Sequence, residues 1–438
     1  MRRLALVFYL VVVLPSAVLA GEAPRSLLES AIEHEIATGL NEFGLKLLDR
    51  VDPNAGQNAL LSPWSIQNAL AVTCAGARGK TAEQMQTVLG LPTEVQEPTS
   101  SRVGDTVGVD RPTRHKGVAD LSAAILAQDK KDRPYHLILA NRLWAQKGFE
   151  IRREFSDFLK KYYDAEMERL DFDARKAAAI KAINQWVSKK THGRIPKLLE
   201  PEDVTRDTRL VLTNAVYLKA TWLHSFSKHA TRTAPWKLPL DTRSKKDPYS
   251  VKMMSQVESL KFYEGDDMMA VDLPYKGSDL AMTVILPDRE KSLSAVRKKL
   301  RSVTFARMLE EMVRTNVHVQ MPRFTMRCRY GLAAPLGKLG MPLAFTSAAD
   351  FAGITQKTPL LISKVIHEAW CKVNEEGTEA AAATAVVMRP TGRGPSKRVS
   401  FRADRPFLFA IRHVPSRSIL FLGQVVRPDR VSASAEEK

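Results

Sequence analysis

Cysteine is scarce: Cys74, Cys328 and Cys371 are the three in 438 residues, and no Cys-x-x-Cys occurs. Three thiols cannot all pair within one chain, so a disulfide framework is excluded as the main source of stability. Cys74 lies in an apolar helical stretch and reads as a buried thiol. No Asn-X-Ser/Thr triplet is present, which removes the usual N-glycosylation signal. Long apolar runs are missing after the first twenty residues, so no transmembrane helix is expected. Catalytic signatures are missing as well. There is no Gly-x-Ser-x-Gly elbow, no His-Glu-x-x-His, no phosphate-cradling glycine loop and no zinc spacing. His34 sits between two glutamates on an expected surface helix, and His367 precedes Glu368 on an expected strand; lone histidines of this kind read as structural. No cofactor and no metal are expected. An enzyme is the weakest class, and a hydrolase whose catalytic groups are dispersed along the chain is the last reading left to it.

What is present begins with a targeting segment. Arg2 and Arg3 precede the apolar run Leu4 to Leu14, Pro15 and Ser16 break it, and Val18-Leu19-Ala20 offers small residues for cleavage. Residues 1–20 therefore read as a signal peptide. The expected location is secreted or extracellular, or periplasmic if the host has an outer membrane. The formal net charge is +18, two fewer once Arg2 and Arg3 leave. Basic clusters occur at Lys189-Lys190, Arg243 to Lys246 and Arg297 to Arg301. They are scattered and read first as solvated surface; the other occupant would be a polyanion such as a glycosaminoglycan. No stacking aromatics accompany them, so no nucleic acid is expected. The expected state is a monomer.

Along the chain, Ser62-Pro63 signals a helix start, with serine as cap and proline in the first turn, and Gly76 signals its end. Thr81 to Gln84 reads as a capping box for a following helix closed by Gly90 and Pro92. Pro92 to about Lys116 is polar and reads as a loop or insertion. Ile151, Phe155, Phe158, Leu159 and Tyr162 share a helical face, as do Ile180, Ile183 and Val187. Leu210 to Leu218 reads as a buried central strand. Val271 to Tyr275 and Leu280 to Leu286 form a hairpin pattern, and Ile419 to Leu422 a last buried strand. Helices dominate the first half and strands the second, which predicts an α+β fold.

Residues 375–400 carry conflicting signals. The alanine run favours helix, Val386-Val387 favours strand, and Pro390, Gly392, Gly394 and Pro395 demand an open loop. Parity resolves part of this. As a strand, one face presents Thr378, Ala380, Ala382, Thr384, Val386 and Met388. The other presents Glu379, Ala381, Ala383, Ala385, Val387 and Arg389, so every charge lies on the second face. That pattern suits a strand with one side buried and one side wet, and Pro390 would end its ladder.

Asn374-Glu375-Glu376-Gly377-Thr378-Glu379-Ala380-Ala381-Ala382 resembles the reactive-loop hinge of inhibitory serpins. Ser62-Pro63-Trp64-Ser65-Ile66, Asn214-Ala215-Val216-Tyr217-Leu218-Lys219 with Trp222, Leu273-Pro274-Tyr275, Met321-Pro322-Arg323-Phe324, Ala349-Asp350-Phe351, Arg405-Pro406-Phe407 and Leu420-Phe421-Leu422-Gly423 follow in family order. The resemblance implies one serpin domain over 21–430, with helices around three β-sheets, an exposed reactive loop at about 375–400 and a disordered tail at 431–438. It implies a suicide substrate for a serine protease, cut in its loop and trapping the enzyme as an acyl ester when the loop inserts. The implied hinge is Glu375, Gly377, Thr378, Glu379, Ala380, Ala381, Ala382 and Ala383. The implied sheet-opening residues are Ser62, Ser65, Asn214, His367, Trp222 and Arg323, with an ion pair between Arg323 and Glu375. The family's spacing lands on Thr391-Gly392 as the cut bond, for an elastase-like or broad enzyme. Chemistry offers Arg393-Gly394, for a trypsin-like one; Arg389 is disfavoured because Pro390 follows it. The competing reading is a non-inhibitory serpin acting as a binding or chaperone-like protein. Small residues at Thr378, Ala380 and Ala382 favour inhibition.

Overall fold

Ser62 ends an extended segment and starts a fully buried helix. Its Oγ accepts from the Ser65 N–H at 3.2 Å, Pro63 fills the first turn, and Gly76 closes the helix. Every residue of this helix, Pro63–Ala75, is buried. The computed structural model describes residues 27–52, 55–92, 112–126, 135–163, 167–238, 249–356, 360–379 and 398–431. The signal read at 1–20 lies outside them, as does the tail read at 431–438 apart from Val431.

In chain order the elements are α1 (Leu27–Val51), β1 (Ala59–Leu61), α2 (Pro63–Ala75), α3 (Gly79–Leu89), α4 (Pro112–Leu126), β2 (Tyr135–Gln146), α5 (Arg153–Tyr163), β3 (Met167–Leu170), α6 (Lys176–Lys190) and β4 (Leu210–Thr221). Then come β5 (Arg232–Pro235), β6 (Ser250–Glu264), β7 (Met268–Pro274), β8 (Leu280–Pro287), α7 (Leu293–Lys299), α8 (Ser302–Glu311), β9 (Val313–Pro322) and β10 (Phe324–Gly331). The chain ends with α9 (Ala333–Leu339), β11 (Lys364–Asn374), β12 (Gly377–Thr378), β13 (Arg398–Arg402), β14 (Phe407–His413) and β15 (Ile419–Val425). The early helices and late strands make the α+β fold expected.

Among the described residues the strands hydrogen-bond into two sheets rather than three. One runs β1-β15-β14-β8-β7-β6-β9-β13 with β5 on β6, and the other β10-β11-β12-β4-β2-β3. The reason lies in β6. Its buried side chains are Val251 and Met253 at first, then Met254, Leu260 and Phe262. The buried parity switches between Met253 and Met254, so one strand leaves one packed layer and enters the next while its pairing with β9 continues unbroken. Two layers are thereby joined into one hydrogen-bonded sheet.

Three local expectations change. The helix after Gly76 starts at Gly79, with no side-chain cap at Arg78. Thr81 is buried inside it and accepts from the Asp350 N–H at 3.0 Å, so a distant segment takes the hydroxyl that local chemistry offered as a cap. The stretch read as loop to Lys116 already contains the start of α4 at Pro112. The loop read to residue 400 ends earlier, because β13 begins at Arg398.

In the six-stranded sheet, β4 and β11 pair in parallel from Val211 with Lys364 to Val216 with Ala369. Above those rows β12 lies between them, antiparallel to both. Helix α2 lies beneath this seam, against β4. Above it, Ala179, Ile180, Ile183 and Val187 of α6 pack on Val211, Ala215 and Ile366.

Candidate functional site

The site is the seam between β4 and β11 and the turn that leads from β11 into it. Asn374 makes the turn: its Oδ1 accepts from the N–H groups of Glu376 at 3.0 Å and Gly377 at 3.2 Å. The three turn carbonyls are all held. Asn374 O accepts from the Trp222 indole at 2.9 Å, Glu375 O from the Phe226 N–H at 2.9 Å, and Glu376 O from the Trp222 N–H at 2.9 Å. Gly377 sits at φ +150°, and a Cβ there would lie 2.0 Å from Ala220 O, so only glycine fits between the strands. Thr378 follows, 1% exposed, with its hydroxyl 2.6 Å from that of Tyr275, which stacks on Trp222.

Arg323 and Glu375 are paired. The guanidinium donates to Glu375 Oε1 at 2.7 Å through Nε and 2.5 Å through Nη2, and Thr231 Oγ1 donates to the same oxygen at 2.5 Å. Burial pushes the Glu375 carboxyl up, but the Arg323 and Thr231 hydrogen bonds and the Arg323 charge outweigh it and leave its pKa lowered. Lys228 holds Glu376 at 2.6 Å.

Lower in the seam, Ser62, Ser65, Asn214 and His367 come together as one buried network, and Asn141 of β2 joins them. The Asn214 amide donates to Ser65 Oγ and to Asn141 Oδ1, both at 2.7 Å. Ser65 Oγ donates to Asn141 Oδ1 at 3.1 Å, and Asn141 Nδ2 to Ser65 O at 3.0 Å. His367 Nδ1–H donates to Asn214 Oδ1, and Nε2 accepts from the Ser62 N–H at 3.1 Å. Those two bonds require the neutral ring with its proton on Nδ1. Each member ties β4, β11, β2 or α2 to another, so parting the seam breaks the network.

Burial lowers the His367 pKa to about 3, against 6.5 for a free histidine. Between those values the unfolded chain binds the extra proton, so this group's stabilisation is complete above about 6.5 and drains away as the pH falls towards 3. The expected result is a melting-temperature gap between the wild type and His367→Gln that is widest near neutrality and narrows on acidification. Thermal melts across that range, followed by circular dichroism, measure it; a gap independent of pH would assign the acid loss to other groups.

Glu379 departs from the expected wet face. It is 8% exposed and pairs with Arg194 from the connection after α6. Burial first, then its neighbour Glu379, pushes the Tyr217 phenol up to about 12. The outward side of the seam is therefore covered low down by α6, while higher up Arg194 of that connection meets Glu379 beside the exposed Lys372. Small residues are needed on this face too, and its one described charge finds a cation. Glu379 also has φ +46°, in the left-handed region, while its N–H still donates to Lys372 O at 2.8 Å.

Of the hinge, Glu375, Gly377, Thr378 and Glu379 are thus placed at the seam. Ala380, Ala381, Ala382 and Ala383, and both candidate bonds, Thr391-Gly392 and Arg393-Gly394, lie outside the described residues. Asn141 and Tyr275 were not singled out from sequence. A lone asparagine within the apolar stretch Leu137 to Leu143 was the available signal for the first; Tyr275 was visible only as part of a motif. The described residues contain no group of side chains able to hold a metal ion and no helix long and apolar enough to cross a membrane.

A sheet closed on itself, with the start of the chain's own next segment already lodged at the top of the closure, is the framework of a strand-inserting protein. Residues 38–428 match the family model described as Serpin (serine protease inhibitor). A leukocyte elastase inhibitor of Sus scrofa is 38% identical over 405 residues, spanning 90% of this chain and 100% of that protein. A serpin-like protein of Thermococcus kodakarensis is 34% identical, spanning 92% and 88%. Among solved structures, Serpin48 of the insect Tenebrio molitor, described as a highly specific serpin, superposes with TM-score 0.73 at 29% identity over 90% of this chain and 98% of its own. The chain belongs to the serpin family, a family of protease inhibitors rather than of catalysts.

Proposed function

We propose that this chain is a suicide-substrate inhibitor of serine proteases. The single observation that carries the reading is β12, the first step of a strand already paired on both sides of the seam. Thr378 faces Ala220 and Val373. Continued one residue at a time, that register would set Ala383 opposite Ala215 and Glu368, and Val387 opposite Val211 and Lys364. The two neighbours are themselves paired as Val211 with Lys364, so the extrapolation closes on itself. The seam would be full at Val387, ahead of Pro390 and of every candidate bond.

In the chemistry, the protease serine oxygen attacks the carbonyl carbon on the N-terminal side of the cut bond. The C–N bond breaks, the protease's base gives its proton to the leaving amine, and an ester joins enzyme to inhibitor. Water would complete hydrolysis. Insertion from Ala380 to Val387 competes with it and carries the ester away from its catalytic groups. Each new backbone hydrogen bond contributes about 1 kcal/mol net, so the step is downhill by on the order of 10 kcal/mol.

The test is incubation with elastase-like and trypsin-like proteases, followed by denaturing electrophoresis and mass measurement of the released C-terminal peptide. A stable complex is the expected result. A peptide beginning at Gly392 assigns an elastase-like target, as the name of the porcine relative suggests, and one beginning at Gly394 a trypsin-like target. Clean cleavage with no complex across a broad protease panel would make the chain a non-inhibitory binding protein. Export with cleavage after Ala20 belongs to the same proposal, and the N-terminal sequence of the mature protein checks it.

A further inference from the structure

Two lysines at the top of the seam stand beside a carboxylate that neither of them binds. One step beyond Thr378, the register sets Glu379 between Lys219 of β4 and Lys372 of β11. Alternation puts the three side chains on the outward face, with Tyr217 and Trp370 two residues below the lysines on the same face. Glu379 pairs instead with Arg194, whose guanidinium carbon also lies 5.2 Å from the centre of the Trp370 ring. Neither lysine makes an ion pair among the described residues. The nearby acids are already held: Glu375 by Arg323, Glu376 by Lys228, and Asp429 by the Thr325 N–H at 3.1 Å and its hydroxyl at 3.0 Å.

These side chains line a cleft of about 370 Å³, together with Thr325 and Asn374. Arg194, Lys219 and Lys372 face it with Glu379 as the one opposing charge. The acceptors in the lining are taken or sealed off. Glu379 Oε1 is held by Arg194, Glu379 Oε2 is closed from solvent, and Asn374 Oδ1 accepts from Glu376 and Gly377. The groups left over are donors: both ammonium groups, the Trp370 indole and the Asn374 amide N–H. Lys372 is exposed and Lys219 half-buried. A lysine stem laid along the sheet accounts for the burial of Lys219. It does not account for two cations aligned across one carboxylate that a distant arginine has taken.

Spacing selects the ligand. The lysines are two strand separations apart, about 10 Å at their Cα atoms. Glu379 lies midway, so a compact dianion bridging them would sit over a carboxylate and be repelled. A ligand with a carboxylate at each end and an apolar middle avoids this. Each end meets one ammonium group, and the methylenes lie against Tyr217 and Trp370. We infer that this cleft binds a linear dicarboxylate of the adipate kind. The bound molecule links β4 to β11 over β12 and steadies the Asn374 turn. Binding is independent of the inhibitory reading above.

The test is calorimetric titration of the full mature chain with adipate, pentanoate and inorganic phosphate. Adipate should fill one site with a Kd on the order of 1 mM, the modest affinity of so small a ligand. Pentanoate has one carboxylate and phosphate has no apolar span, so each should bind at least about tenfold more weakly. Lys219→Ala/Lys372→Ala should weaken adipate by at least about tenfold, and Lys189→Ala/Lys190→Ala, a basic pair on α6, should not change it. Lys372→Ala alone, at an exposed position, should weaken it about threefold and keeps the comparison open if the double variant is destabilised. Adipate should also raise the melting temperature of the wild type and leave that of the cleft variant unmoved. Absence of saturable adipate binding overturns the inference. So does pentanoate or phosphate binding as tightly as adipate, or an unchanged adipate affinity in the lysine variants.

Discussion

Thr378→Arg is expected to convert the protein from inhibitor to substrate. Thr378 is 1% exposed, between β4 and β11, with its hydroxyl 2.6 Å from Tyr275. An arginine there would bring a charge onto the Trp222–Tyr275 stack, where no described carboxylate faces it. Burying an unpaired charge costs several kcal/mol, which rules out pairing in this register. The cut bond lies beyond this position, so acylation should proceed at its normal rate while insertion stalls and water completes hydrolysis. The yield of covalent complex should fall by at least about tenfold with cleavage unimpaired, a ratio of more than about 1.4 kcal/mol between the two fates. Densitometry of complex and cleaved bands measures it. Before any protease is added, the variant should also show altered tryptophan emission, because β12 would leave the seam beside Trp222. A variant with changed emission and full complex yield would separate the native seating of β12 from the inhibitory step and refute the latter's dependence on it. Thr378→Ser, which keeps size and hydroxyl, should leave both readouts unchanged.

The second large effect concerns Asn214→Ala. The amide donates twice and accepts once within the buried network. Alanine strands the His367 Nδ1–H with no acceptor and removes a donor from Ser65 and from Asn141. An unmet buried polar group costs about 1–3 kcal/mol, and the penalty falls on the closed seam. The opened seam, where water reaches these groups, is spared it. The expected consequence is faster opening, by at least about tenfold if about 1.4 kcal/mol of the difference appears in the barrier. A labelled synthetic peptide spanning Thr378 to Met388 offers the opened seam a strand, and its rate of incorporation reads the opening directly. An unchanged rate, with a lowered melting temperature, would make the network ordinary core structure instead of a clasp.

Much of this was legible in the sequence wherever local chemistry decides conformation. Ser62-Pro63 announced a capped helix because both cap and proline act within one turn. Val271 to Leu286 announced a hairpin because strand period and turn residues are adjacent. Thr81 misled for the complementary reason: its hydroxyl is taken by Asp350, far along the chain, and no window around Thr81 contains that fact. The merging of two layers through β6 depends on where neighbouring sheets pack, and only the burial of Met253 and Met254 on successive residues hints at it. At the site, parity placed Thr378 inward and Glu379 outward. It could not say that α6 and Arg194 would cover the outward side. Asn141 joined the network unannounced because its partners Ser65 and Asn214 lie 76 and 73 residues away.

The parallel closure of β4 on β11 has one further consequence, which concerns direction. The Asn374 turn returns the chain tightly from β11, so whatever follows must run against β11, and therefore against β4 as well. A parallel contact cannot be replaced by another parallel contact here. The only trade available is one ladder with slanted bonds for two with the straight bonds of antiparallel pairing. Strand polarity, fixed by the order of the fold, thus makes the closed seam the poorer of two arrangements open to the same sheet, and it does so without asking any side chain to be strained.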